Sequence, residues 1–455
     1  VEDVMEEIEI NEILNLSAEE LDKKTARELY KIAQALKVKN YTHFKKPELI
    51  DEIMKSLKEY QIEKRMETKI MEEPQNVEVK QRTENELYFK GLFEAHPDGY
   101  GFLRSNYFPS FSDVYVSPPL IRRFGLRTGD VVAGPVHKPQ RDNEKYPSLV
   151  NVSTINGIKV TGYLKRAIFE NLTPYYPTKR IVLETPGCNV ALRVIDLIAP
   201  LGRGQRGLIV SAPKAGKTTL IKEIAKSISK NYPEIELIIL LIDERPEEVT
   251  DMKNSVAAEV VSSTFDQPPE NHIRVVELVL ERAKRLVESG KDVVVLLDGI
   301  TRLTRAYNLL SSSSGKTLSG GLDPAAIKGP KKFLGAARSI MNGGSLTMLA
   351  TALIDTGSKL DQVIYEEFKG TSNMEIILDR GFAEQRIFPA VDINKSGTRR
   401  EELLYTPEEY KKIWALRKFI GNLEPSEALQ RIIEMLSQTR SNEELLKSIV
   451  VENER

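Results

Sequence analysis

The chain is poor in residues that staple a fold. Only one of its 455 residues is a cysteine, Cys188, so no internal disulfide can form. Its four histidines (His43, His96, His137, His272) are scattered at no metal-ligand spacing, so no structural metal is expected. No run of about 18 apolar residues occurs, which excludes a helical membrane span. The chain begins acidic (Glu2, Asp3, Glu6, Glu7, Glu9) and lacks a basic stretch followed by an apolar one, so a secretory signal is not expected. These absences point to a cytoplasmic protein. Internal repeats and long low-complexity tracts are also missing. Hydrophobic residues make up 41% and charged residues 29%, an ordinary globular balance, and the length suits two or three domains.

Excess charge is lacking too: 65 Lys+Arg against 66 Asp+Glu leave a net of −1. Its distribution is uneven. Residues 1–80 hold 14 basic and 19 acidic side chains, a net of −5, and residues 81–180 hold 14 and 9, a net of +5. A basic middle segment suits a polyanion-binding module, although a solvated surface gives the same count. The first 22 residues hold nine acidic residues and no Lys or Arg, which suits a solvated tail.

Three patterns follow one another. Residues 1–57 read as a helical subdomain, with capping boxes at Ser17/Glu20 and Thr25/Glu28 and apolar faces built from Leu29, Ile32, Ala33 and Leu36, then Leu49, Ile50, Ile53, Met54 and Leu57. Residues 58–82 are a charged linker. In residues 83–157 five β-type runs (Leu87–Phe93, Tyr100–Leu103, Asp113–Val116, Val131–Val136, Ser148–Val152) alternate with turn residues, which predicts a small closed barrel of the OB type. Residues 158–200 connect. From 201 to 455 buried-strand runs at Gly207–Val210, Leu237–Ile242, Val293–Leu297, Leu346–Leu353 and Met374–Leu378 have helices between most of them, at about 217–230, 274–289 and 330–341. That order predicts an α/β domain with a mostly parallel sheet covered on both faces, ending in a helical tail.

Ser211-Ala212-Pro213-Lys214-Ala215-Gly216-Lys217-Thr218 follows one such strand and opens a helix, the setting of a P-loop. Gly216 lets backbone N–H groups approach phosphates, Lys217 reaches the β and γ phosphates, and Thr218 offers a hydroxyl to Mg²⁺. Ser211 replaces the usual first glycine. Asp298 ends the strand Val293–Leu297, where a carboxylate can hold Mg²⁺ or its water, or cap a turn. Asp243, Glu244 and Arg245 end another strand on the same rim. Glu244 is the candidate base for the attacking water, with Arg245 to order it or touch phosphate; a surface salt-bridge cluster is the bland alternative.

In the barrel segment, Tyr100 and Phe102 are two apart on one strand, so both rings face one side. With Arg104 beside them they form either a base-stacking platform or part of the barrel core. Asp113-Val114-Tyr115 and Glu144-Lys145-Tyr146 add further rings near basic Arg141.

Together these motifs resemble the Rho family of bacterial transcription terminators. The likeness rests on Gly202-Arg203-Gly204-Gln205-Arg206-Gly207, the P-loop, Leu241–Thr250, Thr351–Lys359, Tyr365–Thr371 and Ser396-Gly397-Thr398-Arg399, and runs from about 85 to 440. It implies a RecA-like ATPase ring of six copies with ATP between subunits. ATP-binding residues would be Gly202 to Gly207, Lys214, Ala215, Gly216, Lys217, Thr218, Thr219 and Arg245. Arg399 would be an arginine finger given in trans and Arg386 a second interfacial arginine. The primary RNA site would be Gly99 to Arg104, including Gly101 and Leu103, with Asp113, Val114, Tyr115, Glu144, Lys145 and Tyr146. Tyr100 stands where many relatives have Phe. Lys316 and Lys359 would line the ring's centre as a secondary RNA site. The implied function is an RNA-dependent ATPase and 5′–3′ translocase or helicase, using ATP and Mg²⁺. It would bind nascent single-stranded RNA, pyrimidine- or cytosine-rich, and pull it from RNA polymerase in the company of elongation factors. Two competing readings are a rotary ATP-synthase-type subunit and an RNA-binding scaffold without turnover.

Overall fold

The computed structural model describes residues 29, 33, 46, 49 and 53, then 87–139, 145–311 and 318–449. The chain divides into two compact units, Val1–Glu78 and Val79–Arg455. In the first, Leu29, Ala33, Leu49 and Ile53 are helical and buried, which matches the apolar faces read from the sequence. The expected capping boxes, the linker and the acidic first 22 residues lie outside the described residues.

The second unit opens with a barrel. Its strands are β1 (Leu87–Ala95), β2 (Gly101–Arg104), β3 (Val114–Val116), β4 (Val131–His137) and β5 (Ser148–Leu149), and a short helix α1 (Pro118–Phe124) lies between β3 and β4. The ring closes in the order β1–β2–β3–β5–β4–β1, with β3–β5 the one parallel pair among the described residues. All five expected strands are present. A hairpin of β6 (Thr154–Ile155) and β7 (Ile158–Lys159) hangs from β4. Alternation decides the two faces: Phe93, Leu103, Val114, Val116 and Val132 fill the interior, and their neighbours point out.

Residues 174–202 supply β8 (Pro174–Tyr175), β9 (Arg180–Ile181), α2 (Val190–Ile198) and β10 (Leu201–Gly202). The large sheet follows: β11 (Arg206–Ser211), α3 (Lys217–Asn231), β12 (Glu236–Glu244), α4 (Pro246–Ser255), β13 (Glu259–Thr264), α5 (Pro269–Glu288), β14 (Asp292–Asp298), α6 (Ile300–Leu310), α7 (Lys328–Gly335), β15 (Arg338–Ile340), β16 (Ser345–Leu353), α8 (Lys359–Lys369), β17 (Met374–Leu378), α9 (Arg380–Glu384) and β18 (Gly397–Thr398). Its main path is β13–β12–β14–β16–β11–β17–β18, parallel except for β18, with β15 antiparallel to β16 and β8 antiparallel to β15. Helices α10 (Pro407–Ile420), α11 (Pro425–Ser437) and α12 (Asn442–Ser448) end the described chain.

The continuous apolar runs are explained by burial on both faces. On β12, Leu237, Ile239 and Leu241 enter the core formed with α2, α3 and α11, while Ile238, Leu240 and Ile242 enter the core formed with α5, α6 and α8. Two expectations need correction. The helix expected over 330–341 stops at Gly335, because Arg338–Ile340 pairs with β16 as an antiparallel edge. Strand β13 was not anticipated; as the sheet edge it is only partly apolar (Glu259, Ser262, Ser263).

Candidate functional site

Parallel strands deliver their C-terminal ends to one rim, and the P-loop, Glu244 and Asp298 meet there. β11 ends at Ser211 and the loop turns into α3 through Gly216 at φ 93°, a conformation that glycine takes without steric cost. Lys217 is the first helical residue. Its Nζ donates to Glu244 Oε1 (3.0 Å) and to Asp298 Oδ1 (2.7 Å) and Oδ2 (3.0 Å). Thr351 Oγ1 donates to Asp298 Oδ1 at 2.7 Å. Thr218 Oγ1 lies 3.4 Å from Glu248 Oε2. Lys214 and Thr219 are exposed and Ala215 is buried.

Glu244 faces inward because the strand kinks. Asp243 adopts φ 57° and the β12–β13 register slips between Ile242 and Glu244. Asp243 thereby turns out and the Glu244 side chain is left 3% exposed. Burial, then the nearby Asp298, pushes its pKa above the ordinary glutamate value, although Lys217 and Arg302 pull the other way. Burial alone would lower the Lys217 pKa, but Asp298 and Glu244 outweigh it and hold the ammonium above its usual value. The guanidinium beside Glu244 belongs to Arg302, whose Nη2 is 3.3 Å from Oε1 and whose Nη1 donates to the Asp243 carbonyl. Arg302 thus takes the carboxylate-ordering place expected of Arg245, which is exposed at the N-terminus of α4. Arg302 was missed from the sequence; it lies on α6 one helical turn beyond Asp298.

Beside the P-loop lies a cavity of about 290 Å³, lined by Ala215, Gly216, Thr219, Leu220, Phe388 and Pro389 among others. Phe388 is half-exposed there, a flat apolar partner that sequence spacing does not single out.

The Gly202–Gly207 segment stands at the opposite end of β11, six residues or roughly 17–20 Å away. Gln205 bonds Asn373, Gly204 N donates to Thr347 Oγ1, and Arg203 pairs with Glu234 and Asp292. Arg399 lies at this far end too, its N–H bonded to the Asn373 carbonyl (2.8 Å). Burial, then Arg338 and Arg399, depress the Arg206 pKa. None of these three arginines has a carboxylate partner among the described residues. Arg386, exposed at φ 62°, follows α9 on the P-loop side of β17.

The barrel carries a second site. Phe102 pairs across strands with Glu94 of β1 and with Tyr115 of β3, on the outer face. Its ring centroid lies 5.8 Å from Tyr100, 6.1 Å from Tyr115 and 5.1 Å from Tyr146. His96 stacks flat on Tyr100 at 4.4 Å and was missed from the sequence, since it lies across the β1–β2 turn. The aromatic pair is therefore not barrel core. Arg104 sits over the Phe102 ring at 4.6 Å, and its Nη1 reaches Asp113 Oδ2 at 2.5 Å. Asp113 is fully buried and its Oδ1 has no partner among the described residues. Two expected contacts are corrected: Leu103 and Val114 point inward and are 0% and 1% exposed. Gly101 is buried, Gly99 turns the chain at φ 89°, and Lys145 is exposed. Glu144 and Arg141 lie outside the described residues.

Lys316 also lies outside them. Lys359 is described, exposed, and opens α8 after Gly357 at φ 77°. The segment Ser319–Gly321, three residues past Lys316, packs on the first turn of α8, so a Cβ on Gly320 would meet the Leu360 N–H at 2.7 Å. The bases of the two expected RNA loops are thus neighbours.

Three family models match the chain: the Rho termination factor N-terminal domain over residues 20–61, the Rho termination factor RNA-binding domain over 89–161, and the ATP synthase alpha/beta family nucleotide-binding domain over 191–398. Transcription termination factor Rho of Aquifex aeolicus (strain VF5) is 50% identical over 446 residues, 96% of this chain and 97% of that protein. The protein of the same name from Bacillus subtilis (strain 168) is 50% identical over 432 residues, 94% of this chain and 95% of that one. Among solved structures, the ATP synthase subunit NeqB from Nanoarcheaum equitans aligns with a TM-score of 0.50 at 18% identity, over 61% of this chain and 77% of that one, a likeness of fold.

Proposed function

The chain belongs to the family of transcription termination factor Rho, RNA-binding and ATP-hydrolysing, and from that premise we propose that it is an RNA-driven motor which withdraws transcripts from RNA polymerase. The ATP site is the rim holding Lys217, Glu244 and Asp298. Lys217 and Lys214 bind phosphate oxygens, and the N–H groups of the loop and of the start of α3 add to the positive field. The adenine base lies in the cavity against Phe388. Glu244 orients the attacking water and takes its proton; its dry setting gives the carboxylate the raised basicity this needs.

Mg²⁺ fits the hard oxygen donors of Thr218 and Asp298, the latter an anionic group 1% exposed at a strand end. When bound, it neutralises charge on the phosphate oxygens. Thr351 keeps the Asp298 carboxylate aimed at the rim through its 2.7 Å hydrogen bond.

Arg399 cannot serve its own P-loop from the other end of β11. A neighbouring copy brings it there in a ring, which we take to be a hexamer. The cluster of Arg206, Arg338 and Arg399, short of carboxylates, then meets the charge developing on the neighbour's γ-phosphate. Arg386 contributes from the same interface. Lys359, with Lys316, pulls the RNA backbone at the ring's centre.

One observation carries the reading: a barrel face with Tyr100, Phe102, Tyr115 and Tyr146 turned outward beside Arg104. Buried rings would serve stability, whereas rings turned outward support a role in stacking on unpaired bases. A small aromatic face suits flat pyrimidines. A rotary ATPase subunit has no use for such a face. The test is ATP hydrolysis with and without cytosine-rich RNA, in the wild type and in Tyr100→Ala and Glu244→Ala. RNA should raise the wild-type rate, Tyr100→Ala should need more RNA, and Glu244→Ala should be inactive. An RNA-independent rate, or an active Glu244→Ala, overturns the proposal.

A further inference from the structure

The barrel and the ATPase layer share a carboxylate. Glu94 ends on the outer face of β1, directly across from Phe102. Its Oε2 accepts from Arg104 Nε at 2.7 Å. Both of its oxygens also accept from Arg274 on α5: Oε1 from Nε at 2.8 Å and Oε2 from Nη2 at 2.5 Å. Arg104 is the guanidinium over Phe102 and completes its own bonding with Asp113. Four charges thus form one chain, Asp113–Arg104–Glu94–Arg274, and the groups in it are at most 24% exposed. Arg274 contacts no ring of the aromatic face among the described residues. A groove of about 690 Å³ opens between barrel and α5 at this point.

We propose that Arg274 is a positioning residue for RNA binding: acting through Glu94, it sets the orientation and the free charge of Arg104 beneath the aromatic face. This rests on the reading of that face as the RNA site. The local charges decide the direction. Two carboxylates and two guanidiniums sum to zero. Removing Arg274 leaves Arg104 between Asp113 and an unshared Glu94, with a local net of −1. Glu94 then grips Arg104 more tightly and repels phosphate. The ATPase layer thereby governs the grip of the barrel, and a displacement of α5 alters how Arg104 meets RNA.

The test is the affinity of the full chain for a short oligocytidine. Arg274→Gln should weaken it roughly threefold to tenfold, the effect of one partly screened charge at a binding site. Arg274→Lys, which keeps the charge, should recover much of the loss. In the Glu94→Gln background, Arg274→Gln should cost clearly less than in the wild type, because no carboxylate is left there to tighten on Arg104. Tyr107→Phe is the control for seating: it removes the 2.6 Å bond from Tyr107 Oη to Glu259 and leaves the charge chain intact. If Tyr107→Phe weakens binding as much as Arg274→Gln, or if Arg274→Gln leaves affinity unchanged while Tyr115→Ala lowers it, the inference is overturned. If Tyr115→Ala also leaves affinity unchanged, the RNA site itself has been misassigned.

Discussion

Lys217 Nζ stands between two buried carboxylates, 3.0 Å from Glu244 and 2.7 Å from Asp298. The lysine proposed to bind phosphate is therefore also an internal counter-ion. Phosphate oxygens must compete with these carboxylates for it. Lys217→Ala leaves two like charges facing each other in a dry site, so it should cost about 3 kcal/mol of stability as well as the ATPase activity. Lys214→Ala, at an exposed position of the same loop, should leave stability within about 0.5 kcal/mol. Urea unfolding of both variants checks this, and equal midpoints would refute it.

The raised pKa of Glu244 has a sign that a rate profile can read. A base must be ionised, so activity should fall as pH drops through a value above the ordinary glutamate range. Arg302→Gln removes a guanidinium that favours the carboxylate and should move this acid limb to higher pH. The measurement is the turnover rate at saturating ATP and RNA from pH 5 to 9. An unmoved limb would detach Arg302 from the base.

Asp196 is fully buried and bonded to the N–H groups of Leu183 and Glu184, yet burial outweighs these bonds and Arg180 and raises its pKa to about 6. Between pH 3.8 and about 6 the folded chain holds a proton that the unfolded chain has lost. Stability should fall as pH rises through that window, by up to about 3 kcal/mol, and level off above it. Asp196→Asn should lack this decline. Comparing the denaturation midpoints of the two proteins at pH 4, 5, 6 and 7 isolates the difference.

The strands that could be read in advance were those buried on both faces or alternating cleanly, since burial writes itself into the apolar pattern. Edge strand β13 escaped because only Val260 and Val261 of its six residues are apolar. The P-loop was legible because contiguous residues do its work. Arg302 and Phe388 were not, because they reach the rim from separate elements that only the sheet order brings together. Leu103 and Val114 were misjudged as contacts because a family motif runs along the chain, whereas a strand gives alternate residues to opposite faces. The link from Glu94 to Arg274 spans 180 residues and leaves no local trace.

Removal of single rings from the barrel face should be graded. Phe102 touches Tyr100, Tyr115, Tyr146 and Arg104, so Phe102→Ala should cost more binding than Tyr146→Ala, which loses one ring neighbour. Stacking is worth about 1–3 kcal/mol per base, so roughly fivefold to a hundredfold in affinity is expected for Phe102→Ala. Fluorescence titration with labelled oligocytidine checks the order. Equal effects would mean that the rings act independently.

The separation of Arg399 from Lys217 predicts complementation between inactive variants. Arg399→Ala keeps its own Glu244 but fails its neighbour. Glu244→Ala keeps Arg399 but cannot activate water. In a mixed ring, wherever an Arg399→Ala copy holds the nucleotide and a Glu244→Ala copy adjoins it with Arg399, one complete site forms. Mixing the two inactive proteins under conditions that allow subunits to exchange should therefore restore RNA-stimulated ATPase activity to a fraction of wild type. If Arg399 acted within its own chain, every site in the mixture would lack one group and no activity would return. The same mixture with Lys217→Ala in place of Glu244→Ala should also recover, because Lys217 and Glu244 belong to one rim and fail together. Mixing Lys217→Ala with Glu244→Ala should recover nothing, since each copy then spoils its own site whatever its neighbour supplies.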